Sequence, residues 1–511
     1  MKKIFLTVMA TAMCSVAFAG GLFTNTNQNV HFLRNPARAA STDIDAVYSN
    51  PAGLSFLDHE GLTLSLNNQS AFQTRTATTT FAPFAMNGGS KTKQYKGEAS
   101  ALFIPSLQAA YKWKNFVFSG SFAVVGGGGS LLYENGLPMF EADVAMLPLM
   151  LTQGGIPTNQ YSLESRLKGN SATYGVQLGV TYKINYLFSG FVGARASFVG
   201  NGYEGYIRNI QANIGGGSMQ NVNQYFTNAA TQARNVAGSL QPAIDGGYGD
   251  VPSGMVLTAD QITQMASALG MTAGDVGAMS VSNVQGAFNT SAATAEGVAA
   301  QTRDMALDLT QSGWGIAPIL GLNFNYEKLN IGVKYDFNTN IELKNSTKVN
   351  TTPMSQFNDD VKSNYDTPAL LTIGASYKFF EDKLVASAGY HVFFNKGADL
   401  SGDIQKYLDN SQEFLAGLEY RINDRFLVSA GGQLTRLGLS DNYQSDMSFT
   451  SNSFSLGFGG EIKITERLSA NLGYFLTLYE DYAKENPIIN PSKVVYSRTN
   501  NVFGIGLDYK F

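Results

Sequence analysis

The sequence predicts an all-β fold: a transmembrane antiparallel β-barrel of about 14 strands, with an N-terminal plug in the lumen and helices in one long outside loop. Three observations predict it. Apolar and polar residues alternate with period 2 over stretches long enough to span a bilayer. Short polar links alternate with long ones along the chain. Charged residues make up only 14% of the chain, against roughly 25% in soluble domains.

At the start of the chain, Lys2 and Lys3 precede an apolar run from Ile4 to Val16, and Ala17-Phe18-Ala19 supplies a small-x-small cleavage pattern. Residues 1–19 are therefore expected to be a signal peptide, with mature protein from Gly20. The only cysteine, Cys14, lies in this segment behind the bulky Met13, which argues against a lipid anchor and leaves no disulfide for the mature chain. No later stretch approaches the eighteen or so consecutive apolar residues of a spanning helix. The net charge of −4 makes nucleic acid an unsuitable partner.

Residues 20–60 come next, ahead of any clear alternation. They are too few to form a core of their own, yet they carry Leu22, Phe23, Phe32, Leu33, Val47 and Leu54. A fourteen-stranded lumen is wider than wall side chains alone can fill, so the barrel interior is the expected docking surface. Residues 61–511 then form the barrel, with alternation starting at Leu62, Leu64 and Leu66.

Strand patterning is plainest where Ala172, Tyr174, Val176, Leu178, Val180 and Tyr182 alternate with Ser171, Thr173, Gly175, Gln177, Gly179 and Thr181. Leu468, Ala470, Leu472, Tyr474, Leu476 and Leu478 form a second such row. Short turns are expected at Lys114-Asn115, Asn185, Glu327-Lys328, Glu381-Asp382, Asn423-Asp424 and Thr465-Glu466. Long loops are expected at about 73–100, 127–170, 207–312, 344–364, 397–411, 438–448 and 481–498. Six turns and seven loops join fourteen strands and leave both ends on the periplasmic side. The insert 207–312 should be helical: Thr258-Ala-Asp-Gln261 fits a capping box before Ile262, Met265, Ala266 and Leu269, and a second helix is expected at about 219–240.

The last strand places Phe503, Ile505, Leu507, Tyr509 and Phe511 on one face. An alternating strand ending in Phe resembles the signal read by the outer-membrane barrel-assembly machinery, which implies that machinery as a partner through Phe511 and a Gram-negative outer membrane as the location. Outer-membrane lipid and lipopolysaccharide are then the surroundings.

Within the plug, Asn50-Pro51-Ala52-Gly53-Leu54, ahead of a barrel of this strand number, resembles the hatch motif of the FadL family, and Gly20-Gly21-Leu22-Phe23 is similar to its glycine-then-apolar mature N-terminus. The resemblance implies passive uptake of hydrophobic compounds, such as long-chain fatty acids or aromatic hydrocarbons. It further implies an outer groove, a pocket near the hatch and lateral release through a defect in the third strand. Asn50, Pro51, Ala52 and Gly53 are then the hatch motif, and Leu22, Phe23 and Phe32 are candidates for ligand contact or gating. The expected third strand, residues 116–125, carries Gly120 in an apolar row and is followed by Gly126 and Gly127. These glycines either permit the side opening or reflect the glycine content of all the strands, the later ones merely starting a loop. The Asn-rich stretch from Asn25 to Ser41, with a second Asn35-Pro36-Ala37, and the long loop 207–312 depart from the family pattern and leave the ligand open.

A general diffusion porin for small hydrophilic solutes is the alternative; the plug and the sparsely charged lumen rows speak against it. The three mature histidines, His31, His59 and His391, show no nucleophile–base spacing, so no catalytic residue is assigned and an enzyme is not expected. Asp43-x-Asp45 lacks the rest of a calcium loop and reads as a solvated turn, so neither metal nor cofactor is expected.

Overall fold

The computed structural model describes residues 22–485 and 492–511. The expected signal peptide, Gly20 and Gly21 lie outside the described residues. Fourteen antiparallel strands close into one barrel. The first five are β1 (Gly61–Phe81), β2 (Thr92–Trp113), β3 (Phe116–Tyr133), β4 (Tyr161–Lys183) and β5 (Phe188–Ala212). Then follow β6 (Met305–Tyr326), β7 (Leu329–Asp336 with Glu342–Asn350), β8 (Lys362–Asn364 with Leu370–Phe379), β9 (Leu384–Phe393) and β10 (Ser411–Arg421). The last are β11 (Phe426–Arg436), β12 (Ser453–Lys463), β13 (Leu468–Tyr479 with Tyr482–Glu485) and β14 (Ser492–Lys510). Closure is made by β1 on β14, in unbroken register from Thr63 opposite Lys510 to Phe81 opposite Ser492.

The wall is inside-out relative to a soluble sheet. On β4, Tyr174, Val176, Leu178, Val180 and Tyr182 are exposed, whereas Ser171, Thr173, Gln177 and Thr181 are buried. That pattern suits a strand with lipid outside and a filled interior. No helix among the described residues is long and apolar enough to cross a membrane.

All six short turns lie where the links were expected, but the strands outrun the expected loops. β1 continues to Phe81, β3 to Tyr133, and β7 resumes at Glu342–Asn350. The reason is physical: at the long-loop end both faces of a strand can be polar, so the alternation that marks a lipid-facing strand disappears while backbone pairing continues. The Gly126 run accordingly lies inside β3 and does not start a loop.

Two helices, α1 (Val30–Arg34) and α2 (Ala46–Ser49), and a 3-10 turn (Pro51–Phe56) shape the N-terminal segment. At the long-loop end, α3 (Pro138–Ala145) and α4 (Leu147–Gln153) fold over the mouth. The insert between β5 and β6 carries α5 (Val222–Ser239), α6 (Ala259–Leu269) and α7 (Val281–Gln301). The Thr258–Gln261 capping box is present, and Gly270 ends α6 at φ 68°. Helices α5 and α7 pack through Ala233, Ala237, Val284, Phe288 and Ala292. Their other ends join the barrel core through Phe226, Ala230, Ala295 and Ala299.

Candidate functional site

Residues 22–57 lie against the buried face of the barrel wall, held at nearly every strand. Asn27 Nδ2 donates to Gln69 Oε1 on β1 at 3.3 Å, and Asn29 Nδ2 to Gln108 Oε1 on β2 at 3.3 Å. Gln177 on β4 donates to Val47 O at 2.7 Å, and Asn330 on β7 to Ala40 O at 2.8 Å. Charge reinforces this docking. Arg34 Nη1 donates to Glu419 Oε1 on β10 at 2.5 Å, and Arg38 Nη1 to Glu419 Oε2 at 2.7 Å. His31 meets Asp508 on β14 at 2.9 Å. Asp45 is fully buried and binds Arg38 at 2.7 Å through both of its oxygens; it is an ion-pair partner, not part of a solvated turn. Among the described residues, no group of three or more His, Cys, Asp or Glu side chains could hold a metal ion.

The wall makes room for this segment with glycine. A Cβ on Gly457 would overlap Leu33 O, one on Gly417 the Asn35 side chain, and one on Gly332 Ala39 O. A Cβ on Gly504 would crowd the Leu33 and Val30 side chains at 2.6 and 2.8 Å, and one on Gly473 would press on them less tightly at 3.0 and 3.1 Å. These positions run from β7 to β14, so the backbone of the N-terminal segment lies in a glycine-lined track.

The Asn50-Pro51-Ala52-Gly53 motif is fastened at several points. Asn50 caps the 3-10 turn and donates from Nδ2 to Leu322 O at 3.1 Å. Thr181 donates to Pro51 O at 2.7 Å, and Ser189 to Ala52 O at 2.6 Å. A Cβ on Gly53 would overlap Ser41 O, so the close approach itself requires glycine there. Pro51 at the first helical position fits a missing N–H and a fixed φ.

The other sequence-derived candidates fall in separate places. Leu22 packs with Ala398, Leu400, Leu408 and Tyr443, and Phe23 meets Tyr365 edge-on at 6.5 Å. Phe32 is elsewhere, on β13 against Phe475 at 5.8 Å. Gly120 sits in a regular ladder between Ala109 and Leu178. Gly126 and Gly127 do not: β3 accommodates two register shifts against β4 there, and Gly127 takes φ 61°.

Beside those glycines the ladder of the wall is interrupted. Pairing between β2 and β3 stops after Ser100–Ser130 and resumes at Leu107–Phe122. Residues 101–106 and 123–129 thus face each other without a ladder. On β2 the chain bulges outward, and Leu102 and Phe103, adjacent in sequence, are 68% and 74% exposed. Asn68 and Ser70 of β1 hold this bulge through Leu102 O and Ile104 N. On β3 the freed carbonyls are taken from inside. Asn25 N donates to Val125 O and Asn25 Nδ2 to Gly127 O, both at 2.8 Å, and Gln28 Nε2 to Val124 O at 3.2 Å. The N-terminal segment therefore patches the gap. Sequence reading missed the β2 side of this gap; Pro105, which cannot donate to a ladder, was the available signal.

At the long-loop end lies a narrow apolar recess, its cavity volume only about 20 Å³, lined by Phe140, Leu167, Tyr203, Ile207, Met305 and Leu307, among others. Its lining is apolar, and the cavity itself has room for no more than a water-sized group.

No protein-family model matches the sequence, and no curated protein matches it. Solved structures do. A Pseudomonas aeruginosa FadL homologue matches at 12% identity and a TM-score of 0.57, covering 96% of this chain and 100% of its own. The Pseudomonas putida toluene transporter TodX matches at 16% identity and a TM-score of 0.51, again over 96% of this chain and 100% of its own. At these identities the likeness is one of fold, and over nearly the whole chain that fold is the FadL-family barrel.

Proposed function

We propose that this chain is a passive outer-membrane channel for hydrophobic compounds, such as long-chain fatty acids or aromatic hydrocarbons, with the N-terminal segment as hatch and release sideways into the membrane. The observation that carries the proposal is the β2–β3 gap patched by Asn25 and Gln28. A hydrophobic solute gains by leaving the wall directly for lipid, and a hydrophilic one does not. The apolar lining at the mouth supports the same reading, as a surface on which a compound crossing the polar lipopolysaccharide layer can collect. TodX, described as a toluene transporter, shares the fold.

In this reading ligand collects at the recess, descends the lumen and displaces residues 22–25, freeing the two Asn25 contacts on β3 while Asn27 and Gln28 stay in place. Leu22 and Phe23 are the movable gate. Asn50, Pro51, Ala52 and Gly53 are its fixed anchor, and Phe32 holds the plug body on β13. Gly126 and Gly127, not Gly120, supply the defect in the third strand. No energy source is required, because the solute runs down its own gradient and the contacts broken are few. Phe511, whose backbone N donates to Leu62 O at 2.9 Å beside the closing seam, is the element offered to the assembly machinery.

The test is uptake of labelled oleate and of toluene by cells with and without the protein, beside a hydrophilic sugar. Uptake of either hydrophobic compound with unchanged sugar flux supports the channel. Increased sugar flux alone would make the protein a general porin and the gap a structural irregularity.

A further inference from the structure

Residues 24–29 read Thr-Asn-Thr-Asn-Gln-Asn, an uncharged polar run placed directly behind the interrupted ladder of an apolar wall. A route for bare hydrocarbon has no use for such a surface, since a buried polar group left without a partner is destabilising. Yet Thr24, Thr26, Asn27 and Gln28 are 2–8% exposed, and each has a side-chain oxygen that no group among the described residues bonds. The wall contributes two more such groups on β2: Ser106 Oγ, inside the unpaired stretch, and Gln108 Nε2 just below it. The Asn27–Gln69 and Asn29–Gln108 hydrogen bonds make segment and wall one patch. The cations that approach from behind are already held. Arg195 and Lys334 flank the Tyr48 ring and both bind Asp336, at 2.8 and 2.9 Å. The patch is therefore neutral and rich in acceptors, with hydroxyl and amide donors at its edge.

Resting on the uptake reading above, we infer that this patch is a specificity site for the uncharged hydroxyl head of an amphiphile, an alcohol or a phenol. The hydroxyl donates to the Asn27 or Gln28 side-chain oxygen and accepts from Gln108 Nε2 or Ser106 Oγ, while the apolar body points through the gap toward Leu102 and Phe103. A hydrocarbon of the same shape leaves those groups unbonded, which is how a polar site rejects an analogue lacking a hydroxyl. An ionised carboxylate brings charge to a patch without a spare cation.

The experiment compares initial uptake of labelled p-cresol and toluene by porin-deficient cells carrying the full chain, relative to cells without it. Two variants are used: Thr26→Val with Asn27→Leu, and the near-isosteric Thr24→Val with Thr26→Val. Barrel insertion is checked by heat-modifiable migration. The expected result is a loss of p-cresol uptake of about tenfold in the first variant and several-fold in the second, with toluene uptake within about twofold of wild type. Wild-type uptake of toluene that equals or exceeds that of p-cresol, unchanged p-cresol uptake in both variants, or equal loss of both compounds in both, would overturn the specificity site while leaving the channel standing. Uptake of neither compound by the wild type would remove the channel reading itself, and this site with it.

Discussion

Arg34 on α1 and Glu419 on β10 meet at 2.5 Å across 385 residues of chain, and the second Glu419 oxygen takes Arg38 at 2.7 Å. One wall carboxylate thus holds two plug guanidiniums. Arg34 has further partners in Ser429 at 3.0 Å and Glu461 at 3.7 Å, and Arg38 has Asp45. Because a buried charge stripped of its partner is expensive, the two ends of this pair are unequal. Glu419→Ala leaves Arg34 with only Ser429 and the longer Glu461 contact, and Arg38 with Asp45, and should loosen the plug by up to about 3 kcal/mol, whereas Arg34→Met leaves Glu419 on Arg38 and should cost less. Protease access to the plug in detergent checks the order; equal sensitivity of the two variants would contradict it.

Gly457 carries a different test, of fit rather than charge. A side chain there collides with the backbone of Leu33, whose side chain already lies against Gly473 and Gly504. Gly457→Leu should therefore expel the plug body while leaving the barrel inserted, and single-channel conductance should rise. Gly200→Ala on β5, where an added Cβ meets nothing within 4 Å, is the control and should behave as wild type. A plugged, silent Gly457→Leu channel would show that the segment can shift without cost.

How much of this was legible beforehand follows the physics of each part. The β4 row from Ala172 to Tyr182 announced itself because lipid and lumen demand opposite side chains every second residue. The Glu342–Asn350 piece of β7 did not, because polar residues occupy both of its faces. The hatch motif could be found only through the short Asn50–Leu54 string. The glycine track could not be found at all, since its members are spread over strands from β7 to β14 and each looks like any other strand glycine. Arg34 and Glu419 share no local pattern; only barrel closure brings them together.

Gly127 and Gly120 separate the two places where the third strand could open. Gly127 has φ 61°, and a Cβ there would lie 2.7 Å from Ser171 O. Gly127→Ala should force β3 out of its present course at about 1–2 kcal/mol, and uptake through the gap should fall several-fold. Gly120→Ala meets chiefly the flexible tip of Leu178 and should transport nearly as wild type. If the second variant were the damaged one, the opening would have to be moved down the strand.

Asp143 on α3 makes the mouth sensitive to pH. Burial pushes its carboxyl up from 3.8 to about 6. Its neighbour Glu141 is also pushed up by burial, but hydrogen bonds from Lys93, Tyr95 and Asn87 outweigh this and hold it below the usual range. Glu141 thus stays ionised and anchors the helix throughout. For Asp143 the folded state binds the proton more tightly than the unfolded state, so its contribution is full below about pH 4 and is lost as pH rises through about 6. The shift corresponds to at most about 3 kcal/mol of local stability. Since Phe140 on the same helix lines the apolar recess, the recess should loosen with it. Hydrogen exchange across residues 138–153, corrected for its intrinsic pH dependence, should speed up between pH 5 and pH 7.5. Asp143→Asn should abolish the change and protect the helix at pH 7.5. Identical profiles for the two proteins would mean that the carboxyl reaches water and that α3 carries no such dependence.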